Sequence, residues 1–420
     1  LRWDCLPMPS TEQKPRVAIV CDTVPYPVRS GDNKRLSEMI DVLRDQGCSV
    51  HLVLTALVDR AARKACEKRV DAVHIYQPAD LKTRLRNLLR RAVRLVDRLG
   101  KRIGVPPAEE IAGRLLGRRI TPLILDYWQR YPKGLSRYLG ELAERRGLKA
   151  VIVEFIWLYP AIDDLPTGIA RILDTHDIQH KRIEDFAARG MRFPLEITRG
   201  EEARIFNRFD AVIAIQEQEA SLIREMCPDL RVLTIGTTCA DFWRISEAAL
   251  PGRILYVGGY NGANIDGLGR FLKNCWPEII SACPHARLNV GGYIYRAFPA
   301  EEFPQVKFLG HVTDIESQYA EAEIIVNPAW IGTGLKIKTV EALAAGKPLV
   351  TTPKGVEGMP AEVEKACVVA PAEKDFSAGV VRLLTDPALR AKTAAAASVF
   401  ASTHLTPEST YGELLDLLHK

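Results

Sequence analysis

Short runs of apolar, often β-branched residues alternate with segments whose apolar positions recur at helical spacing, and this happens twice along the chain. The first series of predicted strands covers residues 16–20, 49–55, 151–156, 169–174, 211–215 and 231–235. The second series covers residues 253–257, 286–290, 306–309, 323–327 and 348–352. Continuous apolar strands alternating with helices are typical of parallel sheets covered by helices on both faces. The pattern therefore predicts an α/β protein with two doubly wound, Rossmann-like domains.

Breaks in this alternation give the predicted domain limits. Residues 1–15 are a polar tail without the apolar h-region of a signal peptide, and the polar stretch 236–252 separates the two series. Residues 75–150 are Arg-rich and helix-prone, so we predict a helical insertion there. The predicted parts are a first domain over 16–240 that carries this insertion, a second domain over 241–403, and a terminal helix in 404–420 that returns to the first domain.

Composition excludes several classes of protein. The chain is 47% apolar and 26% charged, which argues against a disordered chain, a collagen-like repeat or a coiled coil. No apolar run approaches the ~20 residues that a membrane-spanning helix needs. The nine cysteines are scattered and form no Cys-x-x-Cys pair. We therefore expect a reduced, cytoplasmic protein with neither a disulfide framework nor a cysteine-rich zinc site.

Positive charge is concentrated in one segment. Residues 82–102 hold nine basic residues and one acid, a charge of +8, so a chain of net charge +5 carries −3 elsewhere. Residues 81–103 place apolar side chains on one helical stripe, as in a helix that lies on an anionic membrane surface. The alternative is a helix packed on the first domain with a solvated basic face. The segment lacks aromatic residues, so nucleic acid is not an expected partner. The expected location is cytoplasmic and peripheral, on the inner face of the cytoplasmic membrane.

Ligands of open parallel sheets bind at the loops that follow the strands. The loop after EIIVNP reads AWIGTGLKIK, and its two glycines, Gly332 and Gly334, allow backbone to approach a ligand closely. A helix is predicted to begin near Leu335, run to Ala345 and stop at Gly346.

Two lysines, Lys336 and Lys338, are predicted to lie in the first turn of this helix. Cations there oppose the helix dipole, whereas an anionic ligand makes both the dipole and the lysines favourable. Glu341 follows Lys338 by three residues, so both share a face. A cation for phosphate and a carboxylate for sugar hydroxyls suit a nucleotide diphosphate. The alternative is an exposed ion pair on a solvated helix.

The loop after RILYV reads GGYNGANIDG and lacks the Gly-x-Gly-x-x-Gly fingerprint of dinucleotide-binding domains. Gly258, Gly259 and Gly262 still allow a close backbone approach at a helix N-terminus, with Asn264 as the predicted cap. The alternative is a plain strand–turn–helix corner.

The first strand is followed by VPYPVRSGDNKR, which puts Gly31 and Asp32 in a strand-to-helix loop where a second substrate can lie. Arg35 is predicted either to meet an anion or to lie in a solvated first turn.

The strand IARILD is followed by THDIQH. A zinc site built from Asp174, His176, Asp177 and His180 is one alternative, but no further ligand cluster is evident and we predict no metal. A neutral His176 that hydrogen-bonds a substrate is favoured over a satisfied, partly buried histidine. The chain has no Gly-x-Ser-x-Gly, Walker or His-Glu-x-x-His motif, which argues against serine hydrolases, P-loop kinases and zincins.

Together these loops resemble the retaining glycosyltransferases of family 4, over nearly the whole chain from Arg16 to about Thr403. The most specific stretch is IGTGLKIKTVEALAAGKPLVTT, which is similar to the family's donor-binding helix. VGGYNGANID, GHVTD and PYPVRSGDNKR look like a bacterial branch that builds surface polysaccharides. The resemblance implies a GT-B fold, in which two Rossmann-like domains face each other across a cleft.

The resemblance also implies an activity. It implies a hexosyltransferase-type enzyme that moves a sugar, with retention of anomeric configuration, from a nucleotide-diphosphate sugar to a glycan or lipid-linked acceptor in cell-surface polysaccharide or glycoconjugate synthesis. The donor is a substrate, and neither a cofactor nor a metal is expected. Retention is implied to proceed by front-side attack, with the departing phosphate accepting the proton, so no protein nucleophile is required.

Residue roles follow from the same resemblance. Lys338 is implied to hold the diphosphate, Glu341 the ribose, and His176 the donor sugar, so His176 and Lys338 are the catalytic candidates. The implied donor site comprises Gly258, Gly259, Asn264, His311, Val312, Gly332, Thr333, Gly334, Leu335, Lys338 and Glu341, with the GHVTD loop lying near the base largely through backbone. The implied acceptor side comprises Gly31, Asp32 and Arg35. Many family members have a second glutamate eight positions before Glu341, where this chain has Thr333, so the residue that supports the sugar ring stays open.

Three other functions are weighed against this one. A non-hydrolysing nucleotide-sugar epimerase shares the fold and the donor, and would consume donor without an acceptor. A non-catalytic glycan-assembly protein would bind nucleotide sugar weakly or not at all, but Lys338 and Glu341 are intact, which favours the transferase. An NAD-dependent dehydrogenase is disfavoured because the glycine fingerprint is missing.

Overall fold

The computed structural model describes residues 14–28, 31–56, 58–77, 127–188, 193, 195–239, 242–243, 249–298, 303–332 and 334–419. They divide into two compact units. The first comprises the described residues up to Ile213 together with Ile223–Leu233 and those from Leu415 onward, and the second comprises Ala214–Leu222 and Thr234–Leu414. The basic segment 81–103 and Thr333 lie outside the described residues.

The first unit is built on a sheet of apolar strands. Its strands are β1 Arg16–Cys21, β2 Ser49–Leu54, β3 Ala72–Ile75, β4 Ala150–Glu154, β5 Ala170–Asp174, β6 Ala211–Ala214 and β7 Arg231–Thr234. They are arranged in the order β3-β2-β1-β4-β5-β6-β7, and the neighbours from β3 to β6 run parallel. Every residue of β4 is buried, as expected of a strand covered by helices on both faces.

The second unit contains a fully parallel sheet. Its strands are β8 Arg253–Val257, β9 Arg287–Gly291, β10 Val306–Gly310, β11 Ile324–Asn327, β12 Leu349–Thr351 and β13 Val368–Val369. The order is β10-β9-β8-β11-β12-β13. Ile254 and Tyr256 belong to one apolar cluster and Leu255 to another. Successive strand residues point to opposite faces, so both faces of this sheet are packed.

Helices connect the strands in both units. In chain order they are α1 Gly31–Asp45, α2 Arg60–Glu67, α3 Leu135–Arg146, α4 Gln179–Ala187, α5 Arg199–Phe206, α6 Glu217–Met226, α7 Gly262–Arg270, α8 Trp276–Ala282, α9 Ile315–Glu321, α10 Ile337–Ala344, α11 Val363–Ala366, α12 Glu373–Thr385, α13 Pro387–His404 and α14 Pro407–Leu418. The predicted α/β class with two doubly wound, Rossmann-like domains is thereby confirmed.

Two local predictions differ from the structure. Asn264 does not cap α7, because the side chain of Asn261 accepts from the backbone N–H of Asn264 and is the N-cap. The predicted helix start at Leu335 is two residues early, since α10 begins at Ile337 with Lys336 as its N-cap residue. Strand β3 ends at Ile75, where the predicted insertion over 75–150 begins, and the insertion itself stays a prediction because residues 78–126 lie outside the described ranges.

In each sheet the strand order changes direction at one point. In open parallel sheets this switch point is where a ligand binds. The first sheet grows from β1 in one direction and from β4 in the other, and the second does the same from β8 and β11. Crevices outside the carboxyl ends of such strand pairs are the ligand sites of doubly wound folds. The loops after β1, β4, β8 and β11 are therefore where each unit's chemistry is expected.

The sequence also predicts cysteines without a disulfide framework and no membrane-spanning helix. The eight cysteines among the described residues are buried free thiols. No helix in the described ranges is both long and apolar enough to cross a bilayer.

Candidate functional site

The second unit places Lys338 at its switch point, in the first turn of α10. Its Nζ is 2.7 Å from Oδ1 of Asn264 and 3.4 Å from the hydroxyl oxygen of Tyr256. The same ammonium lies 4.7 Å from the centroid of the Tyr256 ring. The half-buried side chain of Lys338, on α10, is therefore held by Asn264 of α7 and by Tyr256 near the end of β8.

The electrostatics around Lys338 favour an anion. Burial lowers the pKa of Lys338 to about 8, Glu341 opposes this, and the neighbouring Lys336 lowers it further. The N-terminus of α10 adds the positive end of a helix dipole. The two ammonium groups and the helix dipole thus place positive charge at one point, and an anionic ligand there would be stabilised by all three.

Glycines shape the loops around this ammonium. Gly332 has φ +108° and Gly334 has φ +74°, a region that other residues adopt only with strain. The carbonyl of Gly334 accepts from Nζ of Lys336 at 2.6 Å. A Cβ on Gly258 would lie 2.7 Å from the Tyr256 ring, whereas one on Gly259 would have no neighbour within 4 Å. The backbone at Gly259 therefore has open space beside it.

Glu341 and Leu335 lie largely within the unit. Glu341 is only 9% exposed, and its Oε2 accepts from the hydroxyl of the buried Tyr319 at 2.8 Å. Burial raises the pKa of Tyr319 well above its usual value. The alternative of an exposed Lys338–Glu341 ion pair is therefore wrong. Leu335 packs against an apolar cluster, so its backbone is the part available to a ligand.

His311 and Val312 follow β10. The exposed ring of His311 stacks on Tyr293 with centroids 5.3 Å apart and planes 7° from parallel. Val312 covers Gly291, because a Cβ on that glycine would lie 3.3 Å from Cγ2 of Val312. The predicted base-side role of these two residues stays a prediction.

In the first unit, His176 lies at the carboxyl ends of β4 and β5. Glu154 and Asp174 end these strands in direct register, and Nε2 of His176 is 2.5 Å from Oε2 of Glu154. Phe155 stacks on the imidazole with centroids 3.9 Å apart. Phe155 and His176 both have left-handed backbone, with φ of 70° and 60°. Such strained residues cluster at functional sites, which supports His176 as a site residue.

Burial and neighbouring charges set the protonation of this pair. Burial raises the pKa of Glu154, the carboxylate of Asp174 raises it further, and His176 and Arg35 oppose the rise. Burial alone would lower the pKa of His176, but Asp174 and Glu154 outweigh it and raise the value. Burial and the carboxylate of Asp174 therefore favour a proton held by the Glu154–His176 pair as a whole.

The structure corrects the predicted position of Gly31 and Asp32 and decides between the two alternatives for Arg35. Gly31 is the first residue of α1, so it and Asp32 lie in the helix and not in a preceding loop. Arg35 is 7% exposed and pairs with the fully buried Asp174, so it does not lie in a solvated turn. The guanidinium joins α1 to the end of β5.

A metal can be weighed against this cluster. One ligand atom each from Glu154, Asp174 and His176 lies within 4.8 Å of the others. Arg35 already neutralises Asp174, and the imidazole already binds Glu154, so the cluster does not fit a resident cation. The four-residue zinc alternative fails, because His180 pairs with Glu202 at 2.6 Å and Asp177 with Arg182.

Sequence reasoning missed two carboxylates of the first unit. Glu154 is fully buried at the end of β4, and Asp22, just after β1, accepts from Nε1 of Trp157 at 3.1 Å and from Arg130 at 3.2 Å. Oδ1 of Asp22 and Oε1 of Glu154 are buried without a hydrogen-bond partner. A single acid inside the apolar run VIVEFI was the signal that could have identified Glu154.

Comparison with known protein families gives one match, in the second unit. Residues 251–386 match the family model described as glycosyl transferases group 1. No curated protein matches the chain significantly in sequence.

Solved structures share the fold along the whole chain. Sucrose-phosphate synthase from Thermosynechococcus elongatus is 12% identical with a TM-score of 0.64, and the match covers 97% of this chain and 98% of the synthase. A TarM variant from S. aureus, in complex with fondaparinux, α-GlcNAc-glycerol and UDP, is 11% identical with a TM-score of 0.65 and coverage of 97% and 100%. HepE from Anabaena, in complex with UDP-glucose, is 13% identical with a TM-score of 0.59 and coverage of 96% and 99%. The chain thus has a GT-B-like fold of two Rossmann-like domains, and its second unit matches the glycosyl transferases group 1 family.

Proposed function

We propose that this protein is a glycosyltransferase that moves a sugar from a nucleotide-diphosphate sugar to a glycan or lipid-linked acceptor, with retention of configuration. The observation that carries the proposal is the half-buried Lys338 at the N-terminus of α10, within the segment that matches the transferase family. Its Nζ is oriented by Asn264 and Tyr256, beside a loop whose Gly259 has open space.

This arrangement suits the chemistry of a sugar nucleotide, which carries its own leaving group. Negative charge grows on the diphosphate as the glycosidic bond breaks, and the transition state has oxocarbenium character. Lys338, the dipole of α10 and the amides of the glycine loops are preorganised to stabilise that charge. In the retaining mechanism proposed, the acceptor hydroxyl attacks from the face of the departing phosphate, which takes the proton. A protein nucleophile is then not needed.

His176 is proposed to contact the donor sugar. Its Nε2 is committed to Glu154 and its backbone N–H donates to Oδ1 of Asp174, so Nδ1 is the ring nitrogen that is proposed to meet a substrate. Phe155 on its face fixes the ring plane. Holding one tautomer in one orientation is what a positioned hydrogen-bonding group requires.

The proposed setting is cell-surface polysaccharide or glycoconjugate synthesis at the inner face of the cytoplasmic membrane, without a metal or other cofactor. HepE was crystallised with UDP-glucose and a TarM variant with UDP, so uridine nucleotides are the first donors to test.

A thermal-shift screen of UDP, GDP, ADP and TDP and their sugars, with and without EDTA, tests the donor site. A ligand at 100 times its Kd adds about 2.7 kcal/mol to the free energy of unfolding, which gives a clear shift. We expect one base series to stabilise the wild type but not Lys338→Ala, with EDTA making no difference. Absence of any shift would contradict the proposal and favour a non-catalytic protein. Conversion of the donor without an acceptor would indicate an epimerase.

A further inference from the structure

A buried network of polar side chains lies under the first turn of α10. Thr339, one residue after Lys338, is fully buried, and its hydroxyl donates to the carbonyl of Gly355 at 2.7 Å. The same oxygen accepts from Nδ2 of the equally buried Asn327 at 2.8 Å. Asn327 is the last residue of β11, and Gly355 lies in the turn Pro353–Gly355 after β12. One hydroxyl therefore ties α10 to the end of β11 and to the turn that follows β12.

The turn that supplies the Gly355 carbonyl is closely packed on this network. Thr351 donates from Oγ1 to the carbonyl of Asn327 at 2.9 Å, and Oγ1 of Thr352 accepts from the N–H of Gly355 at 3.1 Å. A Cβ on Gly355 would overlap Oγ1 of Thr351 and lie 3.2 Å from Nδ2 of Asn327. Both threonines are at most 1% exposed. The network is thus shielded from water, where hydrogen bonds are stronger and fix their partners more firmly than in solvent.

Stability alone does not explain these polar groups. Within the described ranges, Oδ1 of Asn327 is buried without a hydrogen-bond partner, and an orphaned buried acceptor costs free energy. Apolar side chains of similar shape would fill the same space without that cost. A polar network kept at a cost to stability is typical of a place where one arrangement has to be held.

The first turn of α10 depends on such a tie. Its N-cap residue is Lys336, whose ammonium cannot accept the N–H bonds that a capping side chain takes. The helix has eight residues, and helices this short are marginal by themselves. Lys336 and Lys338 also oppose the helix dipole until an anion binds. Asn264 and Tyr256 hold the tip of the Lys338 side chain, whereas Thr339 holds the backbone of the turn that carries it.

We propose that Thr339 is a positioning residue for the phosphate site at Lys338. Its hydroxyl holds the first turn of α10 so that the ammonium and the backbone N–H groups of that turn are already oriented when a diphosphate arrives. The inference rests on the proposed function, because it takes the diphosphate to lie at Lys338. Thr339 itself is buried and acts only through the turn. Groups oriented in advance stabilise charge without reorganisation, so loosening the turn should weaken every phosphate ligand.

Calorimetric titration with UDP and with inorganic pyrophosphate tests this role. Thr339→Val is nearly isosteric and removes the hydroxyl, and we expect both probes to bind about tenfold more weakly, or worse, at neutral pH. Thr339→Ser keeps the hydroxyl and should bind both probes within about threefold of wild type. Thr393→Val is the matched control, because it removes a buried hydroxyl that bonds within α13, and it should change neither affinity.

The pH dependence of binding separates positioning from a loss of stability. Burial, assisted by Lys336 and opposed by Glu341, lowers the pKa of Lys338 to about 8, so wild-type affinity should fall as the pH rises through that value. Tyr256, the titratable group that contacts the ammonium from β8, stays neutral there because burial raises its pKa. A loosened turn exposes Lys338 to water, so in Thr339→Val the fall should begin at a higher pH. A lower stability of the folded protein by itself leaves this midpoint unchanged.

A double variant, Asn327→Leu with Thr339→Val, gives a second test that does not leave Nδ2 of Asn327 unpaired. Replacing both polar partners by apolar groups of similar shape can be nearly neutral in stability. If either folded variant binds both probes within about threefold of wild type, with an unchanged midpoint, the positioning role is overturned. The donor site still stands in that case if Lys338→Ala loses both probes. If the wild type binds neither probe, both proposals fail together.

Discussion

At the residue scale, the proposed function depends most on Lys338. Lys338→Ala removes a preorganised positive group from the developing diphosphate, and losses of this kind cost about 2–4 kcal/mol of transition-state stabilisation. We therefore expect kcat/KM to fall by roughly 10²- to 10³-fold. Lys392→Ala removes an equal charge from an exposed position on α13 and is expected to leave kcat/KM unchanged. Near-wild-type kcat/KM in Lys338→Ala would contradict the role.

The lowered pKa of Lys338 predicts a pH dependence of binding. With a pKa of about 8 in the free protein, the ammonium is charged below pH 8 and becomes neutral above it. A bound diphosphate stabilises the charged form, so nucleotide affinity should fall as the pH rises through 8. Titration calorimetry from pH 7.5 to 9.5 measures this fall. In Lys338→Arg the charge persists, so a fall of the same size there would assign the titration to another group.

The residues also show why part of the site was predictable. Lys338, Glu341 and His176 stand in local motifs, and a local motif is visible in sequence. Arg35 was left between two alternatives and Glu154 was missed, because their partners, Asp174 and His176, are more than 20 residues away. Only the parallel register of β4 and β5 brings those carboxylates beside the imidazole. The choice between a solvated and a buried Arg35 is made by that tertiary contact.

At the element scale, two asparagines at the start of α7 have different roles. Asn261 caps the helix, whereas Asn264, the cap predicted from the sequence, binds Lys338. Asn261→Ala removes the side-chain acceptor for the Asn264 N–H and should cost about 1 kcal/mol of stability. Asn264→Ala leaves that cap intact but removes the partner of Lys338 Nζ, so it should weaken nucleotide binding instead. Urea unfolding and calorimetry on both variants measure the two effects. The reverse assignment of effects would contradict the structure.

The loop after β9 begins with a glycine that no other residue can replace without strain. Gly292 has φ +97°, and its Cβ would lie 2.2 Å from a backbone oxygen, which cannot yield cheaply. Gly292→Ala should therefore destabilise the protein by roughly 1–3 kcal/mol. Gly262→Ala, in the first turn of α7 with no neighbour within 4 Å, should be neutral or slightly stabilising. Melting temperatures of the pair measure the contrast, and equal losses would refute it.

Strand prediction succeeded or failed for identifiable reasons. Long apolar runs such as RVAIVC and SVHLVL became central strands, because burial on both faces leaves a continuous hydrophobic signal. β3 has four residues, half-buried and including a histidine, and β13 has two. Both lie at sheet edges, where pairing with a neighbour defines the strand more than its own composition does.

At the scale of the whole molecule, the two sheets share one design but hold different chemistry. The first switch point gathers buried carboxylates, a histidine and Arg35, whereas the second offers Lys338 and glycine loops. Hydroxyl-bearing ligands suit the first set, and phosphates suit the second. This division is consistent with the function proposed above, in which one unit contacts sugar groups and the other binds the nucleotide. Sequence patterns predicted the shared design, while the division of chemistry required the folded contacts.

Charge distribution along the chain leads to a prediction about membranes. The segment 82–102 carries +8 and the rest of the chain carries −3, so this segment is where attraction to anionic lipid is expected. Each basic residue near such a surface contributes about 1 kcal/mol to the free energy of membrane binding. Salt screens this attraction, and at 1 M its range is only ~3 Å. We expect the protein to sediment with vesicles containing phosphatidylserine at low salt and to be released at 1 M. Replacing Arg90, Arg91 and Arg94 with glutamine should weaken sedimentation, whereas the same change at the exposed Arg63, Arg137 and Arg199 should not. Recovery of the wild type in the supernatant at low salt would contradict membrane binding and favour a basic helix packed on the first domain.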